Sequence, residues 1–115
     1  MTIQDLQDIC TKLNGVTIDI KWENHLCFNI GGKMFLVTSP DEIPHSASFK
    51  VADEEFDAYC AKTGFIAAPY MARHKWVKLD DITRLNKKQW EGATKRSYDL
   101  VASKLPVKLK KQLGL

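Results

Sequence analysis

With 115 residues, 44% of them hydrophobic and 27% charged, the chain has the size of one ordinary domain and the composition of a globular rather than a disordered one. No stretch approaches the roughly 20 apolar residues of a membrane helix. The opening MTIQDLQDIC has neither the basic nor the apolar region of a signal peptide, so a cytoplasmic protein is expected. The net charge of +3 hides an asymmetry, since residues 87–115 hold 8 Lys/Arg against 2 Asp/Glu, whereas residues 1–86 hold 9 against 12. A basic C-terminal quarter is compatible with an anionic partner, and equally with a solvated helix face and a basic tail.

In chain order, Ile3, Leu6, Cys10 and Leu13 recur at helical steps, with Ile9 beside them. Thr2 caps the start, and Asp5 stands in for the capping-box glutamate. Asn14-Gly15 stops the helix, because both residues tolerate the left-handed conformation. The period then changes to two. Val16, Ile18, Ile20 and Trp22 alternate with polar residues, Glu23-Asn24-His25 turns the chain, and Leu26, Phe28 and Ile30 alternate again. Gly31-Gly32 marks a hairpin turn whose central positions need positive φ. Residues 33–38 (KMFLVT) form a strand apolar on both sides, Pro40 and Pro44 punctuate a loop, and residues 46–51 (SASFKV) alternate once more.

Asp53-Glu54-Glu55 opens a second helix, where acidic residues complement the dipole, with Phe56, Tyr59 and Cys60 inward and Gly64 at its end. Residues 65–74 (FIAAPYMARH) show no period and read as an irregular connection; residues 75–79 (KWVKL) read as a last short strand. A long helix runs from about Asn86 with Trp90, Ala93, Ser97, Leu100, Val101 and Leu105 on one face, until Pro106 breaks it. The segment beyond, LKKQLGL, is expected to add one basic turn and to matter little for folding. This order predicts a single α+β domain over residues 1–115, a two-layer sandwich of an antiparallel sheet with helices on one face. The other face is then left open and polar, a common place for a binding surface.

The runs KWENHLCFNIGGKMFLVT, SFKV, YMARHKWVKLDD and SYDLVASKLPVKLKKQLG, in that order, resemble the MmcQ/YjbR family. Its members carry an aromatic followed by an acidic residue, then FKVxGKMF, SLKC, KKHW and SYDLVxxxLPKK. The matching stretches here are Trp22-Glu23, Phe28 to Phe35, Ser48 to Val51, Arg73 to Trp76 and Ser97 to Pro106. The resemblance implies a fold similar to the frataxin-like (CyaY-like) sandwich and a proposed double-wing DNA-binding surface built from β-hairpins. Val51 replaces the family's cysteine, Arg73-His74-Lys75-Trp76 exchanges His and Lys, and Val107 interrupts the usual LPKK. These departures keep the basic and aromatic character without requiring one particular side chain.

No catalytic or metal motif assembles from the remaining residues, so neither an enzyme nor a cofactor is expected. His25 and Cys27 lie two apart on a strand, but a structural zinc site needs four ligands and no second pair supplies them. Cys10, Cys27 and Cys60 are odd in number and dispersed, which argues against a disulfide framework and for reduced, largely buried thiols. Gly31-Gly32-Lys33 joins two strands, whereas a phosphate loop joins strand to helix. Asp53, Glu54, Glu55 and Asp57 read as a helix start rather than as an iron site.

The basic and aromatic residues remain. Lys33, Lys50, Lys75 and Trp76 lie on or near the sheet, and Arg73 and His74 adjoin them. Lysine and arginine neutralise phosphates and aromatics stack on bases, so a monomer binding DNA weakly and largely without sequence preference is expected. The competing assignment makes Trp76 core and the lysines sheet-edge charges that discourage strand pairing. Other uses of the same face are a protein or peptide partner, or a small ligand in a pocket between residues 65–74 and the sheet, lined by His74 and Trp76.

Overall fold

Thr2 accepts from the Asp5 amide while the Asp5 carboxylate accepts from the Thr2 amide, a reciprocal cap that starts helix α1 (Ile3–Thr11). The structure is a computed structural model that describes residues 1–115. After α1 come strands β1 (Val16–Lys21), β2 (His25–Ile30), β3 (Lys33–Ser39) and β4 (Ser46–Lys50), then the short helix α2 (Phe56–Cys60). Strands β5 (Phe65–Ala67) and β6 (Trp76–Leu79) follow, then the long helix α3 (Lys87–Ala102) and helix α4 (Val107–Leu113). The six strands form one antiparallel sheet in the order β1-β2-β3-β4-β6-β5. The fold is α+β, and no helix is long and apolar enough to cross a membrane.

One sheet face carries Phe28, Leu36, Phe49 and Val77 into a core of 19 buried residues that includes Leu6 and Cys10 of α1 and Trp90 of α3. Phe49 is its aromatic hub, with the rings of Tyr59, Phe65 and Trp90 edge-on at 5.9, 6.2 and 5.6 Å. The Trp90 indole donates to the Ile82 carbonyl at 2.8 Å, so this buried N–H is satisfied. Where the β2–β3 register shifts, the buried Ser97 hydroxyl of α3 donates to the Phe35 carbonyl at 2.6 Å and accepts from the Lys50 amide at 3.0 Å. One side chain thus satisfies two strand backbone groups that the ladder leaves unpaired. Its neighbour Tyr98 donates to the Asn14 carbonyl, tying α3 to the end of α1.

Three expectations are corrected. Residues 65–74 are not wholly irregular: Phe65–Ala67 pairs with β6 as the edge strand, too short to display a period. Nor is the segment after Pro106 idle. Leu109 and Leu113 of α4 pack against the core, and the Asn14 side-chain Nδ2 donates to the Leu113 and Gly114 carbonyls at 3.0 and 3.2 Å. Gly31, at φ +58°, suits its turn, and a Cβ there would crowd the methyl ends of Leu105 and of Leu109 in α4, at 2.7 and 3.1 Å. The third correction is that the other sheet face is not open. Residues 68–75 fold back over it, and Cys27, Val37, Ala68 and Trp76 form a second small core with Met34 and Met71 against it.

Candidate ligand groove and basic corner

The covering segment is held by its own backbone. The Ala68 amide donates to the Trp76 carbonyl at 3.0 Å, Met71 to Ala68 at 3.1 Å, and His74 to Met71 at 3.1 Å. Lys75, at φ 62° and ψ 44°, returns the chain into β6. Trp76 sits beneath this segment and is 4% exposed, so its ring has no face free to stack on a base. Its place among the expected binding residues is therefore corrected: Trp76 and its cross-strand partner Lys50 share the loop-covered face, and the loop closes over the tryptophan.

Because the segment covers only the middle of that face, a groove of about 480 Å³ stays between it and the β1–β2 turn. Trp22 and His25 form one wall, their rings edge to face at 5.9 Å. Pro69, Tyr70 and Met71 form the other, over a floor that includes Val37, Ser39 and Ser48. The His25 Nδ1 lies 3.0 Å from the Ser39 hydroxyl. Lys78 lines the same groove and pairs with Glu42 at 3.0 Å, while Ser46 donates to the second Glu42 oxygen at 2.6 Å. The Ser46 hydroxyl, more than the Lys78 ammonium, holds the Glu42 carboxyl below the usual glutamate range against the opposing effect of burial. The expected pocket between residues 65–74 and the sheet thus exists, but Tyr70 and Met71 line it in place of His74 and Trp76.

The groove's two aromatic lips stand in unfavourable backbone. The non-glycine residues at positive φ are Trp22, Glu23, Tyr70 and Lys75, at 49°, 72°, 65° and 62°. Left-handed backbone costs an ordinary side chain about 1–2 kcal/mol. Trp22 is 62% exposed and Tyr70 wholly so, and burial of the Tyr70 ring therefore returns nothing to the fold. Such violations of local preference concentrate at functional sites.

Beyond the segment's far end lies a basic corner. The Lys50 ammonium donates to the His74 carbonyl. Burial pushes its pKa down, Lys104 and Lys75 push it further, and Asp53 opposes them. Lys75 reaches over the Phe56 ring, 4.9 Å from its centroid. Arg73 and His74 are exposed on the loop, and Lys33 is exposed on the β2–β3 hairpin beside Met34. The structure therefore joins Lys50, Lys75, Arg73 and His74 in one region and adds Lys104 from the end of α3. Sequence reasoning passed over Lys104, Trp22, Tyr70 and Lys78. The available signals were an aromatic at a turn and a tyrosine inside a segment without a period.

A model of the YjbR family matches residues 11–100. The chain belongs to the YjbR family. A second YjbR-like protein, Deinococcus radiodurans DR2400 with its DUF419 domain, superposes with a TM-score of 0.88 at 21% identity, over 99% of this chain and 88% of that one. A Pseudomonas syringae protein superposes with a TM-score of 0.71 at 20% identity, over 87% of this chain and 98% of that one. At such identities the likeness is one of fold. No curated protein matches the sequence. The YjbR match takes in both lips of the groove and Lys50 and Lys75, but ends before Lys104 and α4.

Proposed function

We propose that this YjbR-family protein is a cytoplasmic, non-enzymatic DNA-binding protein that holds the phosphate backbone at its basic corner. The observation that carries this reading is the gathering of basic side chains at one corner: the partly buried Lys50 ammonium donates to the His74 carbonyl, Lys75 follows His74 in the chain, and Arg73 and His74 are exposed beside them, with the positive charges of Lys104 and Lys75 acting on Lys50 against Asp53 alone. Like charges gathered where water is partly excluded repel, and a polyanion relieves that repulsion while releasing its own counterions. Arg73 and His74, exposed on the adjoining loop, extend the positive surface. Three free cysteines support a reducing compartment.

Fluorescence anisotropy with a random-sequence duplex across a salt series tests this. Binding is expected in the range of about 10⁻⁴ to 10⁻⁶ M at physiological salt, its logarithm falling linearly with log salt. Lys75→Ala and Lys104→Ala each weaken binding and flatten that slope by about one unit. Lys12→Ala, at the exposed end of α1, changes neither quantity. Absence of binding below about millimolar at low salt, where attraction is least screened, overturns the reading, as does an unchanged slope in both variants.

A further inference from the structure

We propose that the groove between Trp22 and Tyr70 receives an unpaired nucleobase, so that the protein prefers a single DNA strand to a duplex. This rests on the DNA-binding reading but on different residues. Two large aromatics are held at positive φ on opposite walls of one groove, and both are exposed. Neither conformation is what an isolated chain prefers, and the Tyr70 ring packs on nothing in the fold. Aromatic faces held in this way stack on any base, since every base offers a π-face.

The floor and walls together supply the matching edge chemistry. Lys78 has one ammonium proton on Glu42 and two left over. His25 meets Ser39 through Nδ1, and its Nε2 makes no hydrogen bond within the fold. Ser48 adds a hydroxyl. A planar ring bearing donors and acceptors fits this set, and a purely hydrocarbon ring would leave the polar floor unpaired. The neighbouring charge decides between a free heterocycle and a base carried on a strand. Lys50 lies two residues from Ser48 along β4, about 7 Å away, and Arg73 and His74 follow Tyr70 in the same loop. A base in the groove therefore places its own phosphates within reach of the basic corner. A paired base has both its faces stacked and its edge occupied, and does not enter.

The experiment exploits the three tryptophans, of which Trp22 is 62% exposed while Trp76 and Trp90 are 4% and 0% exposed. The full chain is titrated with an oligothymidylate of about ten nucleotides, with the corresponding duplex, and with thymidine, following tryptophan emission and anisotropy. The single strand is expected to quench emission and to bind about tenfold more tightly than the duplex. Tyr70→Asn, which places a residue tolerant of positive φ at a fully exposed position, keeps or raises the melting temperature. The same variant loses about tenfold in single-strand affinity and leaves duplex affinity unchanged. Trp22→Asn loses the quenching. Equal affinity for both forms, or single-strand binding indifferent to Tyr70→Asn, overturns the inference while leaving the electrostatic reading in place. Loss of all DNA binding overturns both. Thymidine binding as tightly as the oligonucleotide overturns the strand and leaves a free heterocycle as the ligand.

Discussion

The two faces of the sheet are covered by different means. On one, Phe28, Leu36, Phe49 and Val77 meet α1 and α3 in a core of 19 buried residues; on the other, Cys27, Val37 and Trp76 meet a single loop in a cluster of four. A helix of 16 residues is about 24 Å long and spans the sheet. Residues 68–75 lie across the middle alone, leaving the groove on one side and the lysine corner on the other. Stability is concentrated where coverage is complete, and both candidate binding features stand where it is not. The same fold thereby separates the residues that hold it together from those free to meet a ligand.

Paired truncations test that division most directly. Phe49→Ala removes the hub of three aromatic contacts and is expected to cost about 3–5 kcal/mol in urea unfolding. Val37→Ala, in the smaller cluster and 9% exposed, is expected to cost about 1–2 kcal/mol. Equal losses would show that the loop-covered face is as cohesive as the helix-covered one.

Removal of residues 106–115 sharpens the boundary of the larger core. Leu109 and Leu113 are partly buried against it and Asn14 is bonded to the helix end, so the deletion is expected to cost about 2–3 kcal/mol by calorimetry. An unchanged melting temperature would confine the core to the residues before Pro106.

The smallest effect belongs to the groove side. The Glu42 carboxyl titrates below the usual glutamate range in the fold. Its contribution to stability is therefore complete above the unfolded value, about pH 4.3, and is lost as the pH falls through the lower, folded value. The pair with Lys78 is half exposed, so the loss is small. Thermal melts of the parent and of Glu42→Gln should converge as the pH is lowered through this window. A constant gap would mean that Glu42 acts through shape alone.

How much of this was legible depends on which element is asked. The capping residues of α1, the two-residue periods of β1, β2 and β4, and the glycine turn between β2 and β3 are local, and their residues declare them. Even the covered second face left a trace, since KMFLVT in β3 is apolar on both sides, as a strand buried on both faces must be. The candidate site was less legible. Residue type alone points to Lys50, Lys75, Arg73 and His74, which the structure places in one region, whereas it buries Trp76 and adds Trp22, Tyr70 and Lys104, which no local signal marks as a site.

Alternation by itself determined that Trp76 and Lys78 share one sheet face and that Val77 and Leu79 share the other. It could not determine what lies above each face, because that is settled by segments distant in the chain. Only the tertiary structure decided that residues 68–75 bury Trp76, that Ser97 reaches the strand backbone from α3, and that Trp22 and Tyr70, 48 positions apart, line one groove. The physical reason is that a side chain's period reports the geometry of its own element, whereas its exposure is the outcome of competition among all elements for the same apolar surface.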